Sequence, residues 1–338
     1  MEALTIPELS QLRVDAAPTI TITPDYFVMH FEEFLPKFIA NGSPSLDTLR
    51  SYRIQIHAFI RWAVAQKRHP LACSDYNIRE YRAALIEKQY RQESIQLKLS
   101  AVRAFFHAAC ELHLVDQNPA TDIHVSTSAP PDSLMHFFTP VQLGTIIRAW
   151  DTEKDIFIRN RNRLILYLMG VEGLRNVEVH RLCLEDINWD IKALLIRGKG
   201  ARNRMDPIYP CEETFKILKE YLDSIPKDTK HPIQKDGALT PLILSNSARN
   251  YLGRISRNGI RLIMNKALTK CHLKQSGYSC HIFRHSCGTN LYQQTKDLRL
   301  VQETLRQRDP KITARYAHVN QRISDRKTAS ITPDFSAK

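Results

Sequence analysis

Between Thr121 and Ser133 the apolar periodicity of the chain stops and gives way to Ser, Thr and Ala residues around Pro130 and Pro131. Paired prolines extend the backbone and remove hydrogen-bond donors, so this stretch resists packing into a core. It divides the 338 residues into two parts, each long enough to bury its own core, where one domain would be unusually large. The expected layout is a tail over 1–24, a helical domain over 25–120, a linker over 121–137, a second domain over 138–319 and a C-terminal segment over 320–338.

In the first part, Leu49, Tyr52, Ile56, Phe59, Ile60 and Ala63 recur at spacings of three and four, which is one face of an amphipathic helix. Arg50, Arg53, His57 and Arg61 fall on a second stripe of the same rod, without an acid among them. Most charge stripes are solvated faces, but an all-basic stripe also suits a row of phosphates. Two more helices are expected: one through Ile78, Tyr81 and Leu85 after Asp75 as cap, another through Ile95, Leu99, Val102, Phe106 and Ala109 after Ser94. This domain reads as all helical.

The second domain opens with Thr139 as N-cap, Pro140 in the first turn and Gln142 as the return partner of a capping box. A helical run through Leu164, Ile165, Tyr167 and Leu168 leads to Gly173, and Val177 to Leu184 reads as helical too. The runs Ala193–Arg197 and Met205–Tyr209 favour strands, and Gly198-Lys199-Gly200 opens the turn between them, so a hairpin is expected.

Hydrophobic residues at 43% and charged residues at 25% fit a globular chain, and a net charge of +13 favours a polyanionic partner, nucleic acid first. No apolar run reaches the length of a membrane span, and the first 24 residues lack a basic start followed by an apolar block. Seven cysteines without a Cys-x-x-Cys pair read as reduced thiols, which implies a cytoplasmic location, and a DNA partner would make the chain nucleoid-associated.

Three separated clusters carry groups suited to phosphate chemistry. In Gly173-Leu174-Arg175-Asn176-Val177-Glu178 a guanidinium at a helix start can fork onto phosphate oxygens while Glu178, one turn later, holds it; alone, such a pair is usually a surface ion pair. Lys199 projects from the hairpin turn, where an ordinary charged turn is the commoner reading. The third cluster is His281-Ile282-Phe283-Arg284-His285 followed by Thr313-Ala314-Arg315-Tyr316-Ala317-His318. On a helix His281 and Arg284 share a face and present two donors from one rigid element. His281 and His285 also have zinc-ligand spacing, but Ile282 stands where a metalloprotease has Glu. Cys271, His272, Cys280 and His281 match no usual zinc pattern.

In this order, Arg175, Lys199, His281-x-x-Arg284 and Tyr316 resemble the tyrosine recombinase family, which includes the Xer-type, Cre-type and phage integrase enzymes. The likeness covers about 200 residues of the second domain. In the first domain it rests on size, helicity and a Ser45-x-x-Thr48-x-x-x-Tyr52 opening. It implies a mainly α protein with a small β-hairpin: an N-terminal helical, SAM-like core-binding domain and a C-terminal α+β catalytic domain, closing as a C-shaped clamp on DNA. The 24 or so residues ahead of Tyr26 are too few for a further arm-binding module.

The resemblance also implies roles. Tyr316 would attack the scissile phosphate to give a 3′-phosphotyrosine, Arg175 and Arg284 would clamp the non-bridging oxygens, Lys199 would protonate the departing 5′-oxygen, and His281 would assist proton transfer with Glu178 orienting. Neither metal nor nucleotide cofactor is implied. Strand exchange would pass through a four-way junction on double-stranded recombination sites, held by a homotetramer or by a heterotetramer with a related recombinase, with residues 321–338 suited to exchange between neighbours. One position departs from the pattern: counting back from Tyr316, the family's second histidine, usually within Leu-Gly-His and sometimes replaced by Trp, falls on Gln307 of Leu305-Arg306-Gln307. Gln307 keeps a hydrogen-bond donor but no titratable proton, and Arg306 adds a charge expected to lie near the DNA. Two rivals stand beside this reading: a type IB topoisomerase or telomere-resolvase-like enzyme, and a catalytically weak or inactive DNA-binding accessory protein of the same fold.

Overall fold

The computed structural model describes residues 22–124, 136–197, 205–227 and 232–307, with 309–310, 313–314 and 316–317. The chain divides into two compact units, Met1–Asp132 and Ser133–Lys338.

The first unit is helical throughout its described residues: α1 (Pro24–Phe34), α2 (Leu46–Ala65), α3 (Asp75–Glu87) and α4 (Gln92–Glu111), with short 3₁₀ turns between them. The caps are local. Ser45 accepts from the Thr48 N–H at 3.2 Å and starts α2. Asp75 is the first residue of α3 rather than its cap; Ser74 takes that place, and its N–H donates to the Asn77 side chain at 3.0 Å. Ser94 lies inside α4, because Gln92 and Glu93 favour helix and Glu93 complements the positive end of the helix.

Phe27, Phe31, Phe59, Phe105 and Phe106 fill the centre of this unit with tilted and edge-on ring pairs. Each such ring contributes roughly 1.5–3 kcal/mol by leaving water. Ala120 and Ile123 are buried in the same core, and Arg103 donates to both of their carbonyls at 3.2 Å. The chain therefore stays packed on this unit beyond the residue where the linker was expected to begin. Residues 125–135 lie outside the described residues.

In the second unit Thr139 and Gln142 form the expected capping box at the start of α5 (Pro140–Arg148). Next comes α6 (Ile156–Gly170), buried along most of its length. Its Arg161, which sequence gave no reason to place inside, ties the helix to the Leu244 carbonyl at 3.1 Å and to the Asn246 amide oxygen at 2.9 Å. The following helix, α7 (Asn176–Arg181), stops three residues short of the expected Leu184. Leu182 and Cys183 turn extended there, and their neighbours exchange backbone bonds with Thr240 and Leu242 instead of continuing the helix.

The hairpin forms as expected, with β2 (Ala193–Arg197) antiparallel to β3 (Met205–Ile208), Leu194 opposite Ile208 and Arg197 opposite Met205. A third strand, β1 (Ile187–Asn188), pairs with β2; at two residues it carries no alternation to read. The turn that holds Lys199, residues 198–204, lies outside the described residues. Among the described residues α8 (Glu212–Asp223), α9 (Arg257–Lys270), α10 (His281–Thr295) and α11 (Leu298–Thr304) follow, and residues 310, 313–314 and 316–317 are helical as well. Helix α6 packs between α8 and α10, and this apolar layer fixes the start of α10 beside the start of α7. No helix among the described residues is long and apolar enough to cross a membrane.

Candidate catalytic site

The site is built on the turn that follows α6. Gly173 there takes φ +68°, a left-handed conformation that suits glycine, and leads directly into Arg175, the N-cap of α7. Glu178, three residues on, accepts from the Arg175 backbone N–H at 2.8 Å and from its Nη1 at 2.7 Å. One carboxylate thus starts the helix and fixes the guanidinium. Arg175 keeps 31% of its side chain exposed while Glu178 keeps 4%.

Helix α10 supplies the opposite wall. His281 opens it and Arg284 follows one turn later, on the same face. Arg284 is buried. Its Nη1 donates to the Gly173 carbonyl at 2.6 Å and lies 3.9 Å from Glu178, and its Nη2 donates to the Leu305 carbonyl. Burial brings this guanidinium down to about 10, with Arg175 adding to the shift and Glu178 opposing it, so it stays protonated at neutral pH.

One further turn along α10 is Gly288. A Cβ built there would stand 2.7 Å from the Tyr316 ring and 2.8 Å from Leu305, and a Cβ on Gly173 would stand 2.6 Å from Leu305. The two glycines make the space into which Leu305 inserts. Leu305 in turn anchors the Leu305-Arg306-Gln307 turn after α11. In an unencumbered helix, Gly→Ala stabilises by about 1 kcal/mol. At position 288 the expected sign is reversed: Gly288→Ala should lower stability by about 1–3 kcal/mol through overpacking, as read by chemical denaturation.

Tyr316 is fully buried, in a cluster with Cys287, Val301 and Leu305. Its phenol oxygen lies 3.3 Å from His285 Nδ1 and 3.5 Å from Gln307 Nε2. Gln307 is held from its other end, because Thr313 donates to its amide oxygen at 2.8 Å; that bond turns the NH₂ group towards the phenol. Neither His285 nor Thr313 was singled out as a site residue from sequence. Both lie within the motifs quoted for the resemblance, and only their direction was missing.

His281 sits in the positive field of Arg284 and Arg175. Loss of water, then those two charges, push its pKa below the ordinary histidine value, so the imidazole is neutral at pH 7 and free to accept a proton. An NMR titration should place His281 below 6.5, and Arg175→Gln should move it back upward. Because the folded value is the depressed one, this histidine makes stability fall as pH drops from about 6.5 towards its folded value.

The structure therefore brings together Arg175, Glu178, His281, Arg284, Gln307 and Tyr316. Arg306, expected among the DNA contacts, instead turns inward: its side chain is 11% exposed and its Nη2 donates to Glu178 at 2.9 Å. Lys199 and His318 lie outside the described residues. The basic stripe of α2 belongs to the other unit. Arg50, Arg53, His57 and Arg61 are all exposed along it, but Glu32 of α1 pairs with Arg53 at 2.7 Å and with His57 at 3.0 Å. Tertiary folding supplies the acid that the stripe itself lacks. Near its far end Lys98 joins it: desolvation and the fields of Arg61 and Lys88 lower that ammonium's pKa.

Comparison with known proteins follows the same division. Residues 136–322, more than half of the chain, match the phage integrase family, and residues 31–111 match the phage integrase N-terminal SAM-like domain. The tyrosine recombinase XerC of Oceanobacillus iheyensis is 26% identical over 87% of this chain and 92% of its own length. The tyrosine recombinase XerD of Proteus mirabilis is 26% identical over 85% and 88% respectively. Among solved structures, the XerH site-specific recombinase bound to palindromic difH substrate, a post-cleavage complex, aligns with TM-score 0.68 at 19% identity over 85% of this chain and 81% of that one. A lambda integrase dimer bound to a COC′ core site aligns with TM-score 0.63 at 16% identity over 88% and 78%.

Proposed function

Since the chain belongs to the phage integrase family of tyrosine recombinases, we propose that it cleaves and rejoins double-stranded DNA at specific sites through a 3′-phosphotyrosyl ester on Tyr316. The observation that carries this reading is the convergence of Arg175, Arg284 and His281, with Glu178 facing both guanidinium groups and Arg284 within the field of the Tyr316 phenol. Exchange of phosphodiesters needs positive charge at the non-bridging oxygens, a nucleophile that stores the bond energy, and a proton for the leaving oxygen. Arg175 and Arg284 supply the first and Tyr316 the second. The third falls to Lys199 by resemblance, with neutral His281 able to take a proton and return it.

Tyr316 is sealed in its cluster, so the phenol moves outward when a phosphate docks. Arg175, with its partly exposed edge, meets the phosphate first. Arg284 then gives up part of its bonding to the Gly173 and Leu305 carbonyls. In this reading Gln307 donates to the phosphate where the family has a histidine, and the exposed basic stripe of α2 tracks the DNA backbone. Both domains contact the duplex, and four protomers hold the junction. The partner sites are DNA, as they are for the XerH and lambda integrase complexes of the same fold.

The test is to incubate the chain with a randomised pool of nicked duplexes, from which the short cleaved strand escapes, without added metal or nucleotide. A covalent adduct whose mass maps to the peptide bearing Tyr316 supports the proposal. A chain that binds the pool and forms no adduct would be an accessory protein instead.

A further inference from the structure

Arg306 occupies a costly position. Its backbone takes φ +50°, where an L side chain is disfavoured, and its Nε is buried with no hydrogen-bond partner. A glycine would avoid both costs. Sequence positions that carry two local penalties at once usually hold a residue needed for something other than stability. The geometry shows what that is. Nη2 reaches Glu178 at 2.9 Å and Nη1 reaches the Thr304 carbonyl at 3.0 Å, so the guanidinium bridges the end of α11 to the carboxylate that already holds Arg175.

Resting on the reading of the site as a recombinase centre, we propose that Arg306 is a positioning residue: it locks the turn that presents Gln307 onto Glu178, and so keeps that carboxylate as the common anchor of Arg175 and Arg284. A direct phosphate contact is disfavoured because its side chain is almost fully enclosed and its bonded edges face inward. Glu178 is faced by Arg175 from its own helix, by Arg284 from α10 and by Arg306 from the turn after α11. Burial pushes the Glu178 pKa up, but the fields of Arg306 and Arg175 and the Arg175 hydrogen bonds overcome it and hold the group below the usual carboxylate value.

Arg306 and Gln307 form a linked pair. The resemblance places Gly-His at these two positions, a flexible residue followed by one able to carry charge. This chain has a charged residue followed by a neutral donor, so the positive group stands one residue earlier and acts through Glu178 rather than on the phosphate.

The test uses duplexes recovered from the randomised nicked pool with the wild-type chain, and compares single-turnover cleavage by Arg306→Gly, Arg306→Gln and Arg306→Lys across pH. Arg306→Gly relieves the left-handed backbone, so a residue with only a structural part would cleave as well or better with glycine. The expected result is a loss of about tenfold at pH 7 for Gly and Gln. The acid limb of their profiles should move to higher pH, because Glu178 without one counter-charge protonates more readily. Arg306→Lys, which keeps the charge, should hold the wild-type limb. Wild-type rates and an unmoved limb in Arg306→Gly would overturn the inference while leaving the proposed function intact. So would an equal loss at every pH that lysine does not repair. Failure of the wild-type chain to form any adduct would overturn the proposed function first, and this inference with it.

Discussion

Tyr316→Phe should bind recovered duplexes with unchanged affinity and form covalent adduct at least about 10⁴-fold more slowly, since no other group takes over a lost nucleophile. The ring is what packs against Gly288, Leu305 and Cys287, and phenylalanine preserves that packing. Only the oxygen facing His285 and Gln307 is removed. Folding stability should therefore change little while chemistry stops, and mobility shift beside denaturing gels separates the two. An adduct that persists in Tyr316→Phe would remove the proposed nucleophile.

Arg284→Ala should damage both fold and reaction. The guanidinium serves the carbonyls of Gly173 and Leu305 and stands 3.9 Å from Glu178, so truncation takes a donor from two buried carbonyls and one counter-charge from a buried carboxylate. Removing one member of a buried charged network costs about 3–5 kcal/mol. Loss of a preorganised donor to the developing phosphate charge slows cleavage by about 10²–10³-fold. Arg284→Lys separates the contributions: it restores the charge, but its ammonium lacks the fork that reaches both carbonyls. It should recover more stability than rate, as measured by urea denaturation and single-turnover cleavage.

The helical character of the first domain and the hairpin of the second are legible in the sequence because they rest on local patterns: apolar spacing in α2 and α4, the Thr139-Pro140-Gln142 start, and short apolar or β-favouring runs on either side of Gly198-Lys199-Gly200. What is decided by distant partners is not legible. Val177 to Leu184 has helical composition, yet the chain leaves the helix at Leu182 because Thr240 and Leu242 offer it backbone bonds. The stripe on α2 holds no acid, yet α1 brings Glu32 against Arg53 and His57.

The site divides in the same way. Arg175 with Glu178 is an N-cap and N3 pair, and His281 with Arg284 lies one turn apart on a helix, so local geometry brings each pair together. That the two pairs meet depends on α6 and α10 packing face to face. The inward turn of Arg306 follows from the space at Gly173 and Gly288, which seats Leu305 and rotates the next residue towards Glu178. No spacing rule contains that information.

The most direct measurement of the central claim is a crystal structure of the chain on a cleaved recovered duplex with orthovanadate, which binds as a five-coordinate phosphorus mimic. The account predicts vanadium bonded to the Tyr316 oxygen, with Arg175, Arg284 and His281 on its equatorial oxygens. Vanadate held elsewhere, with the phenol still packed beneath Gly288, would contradict it.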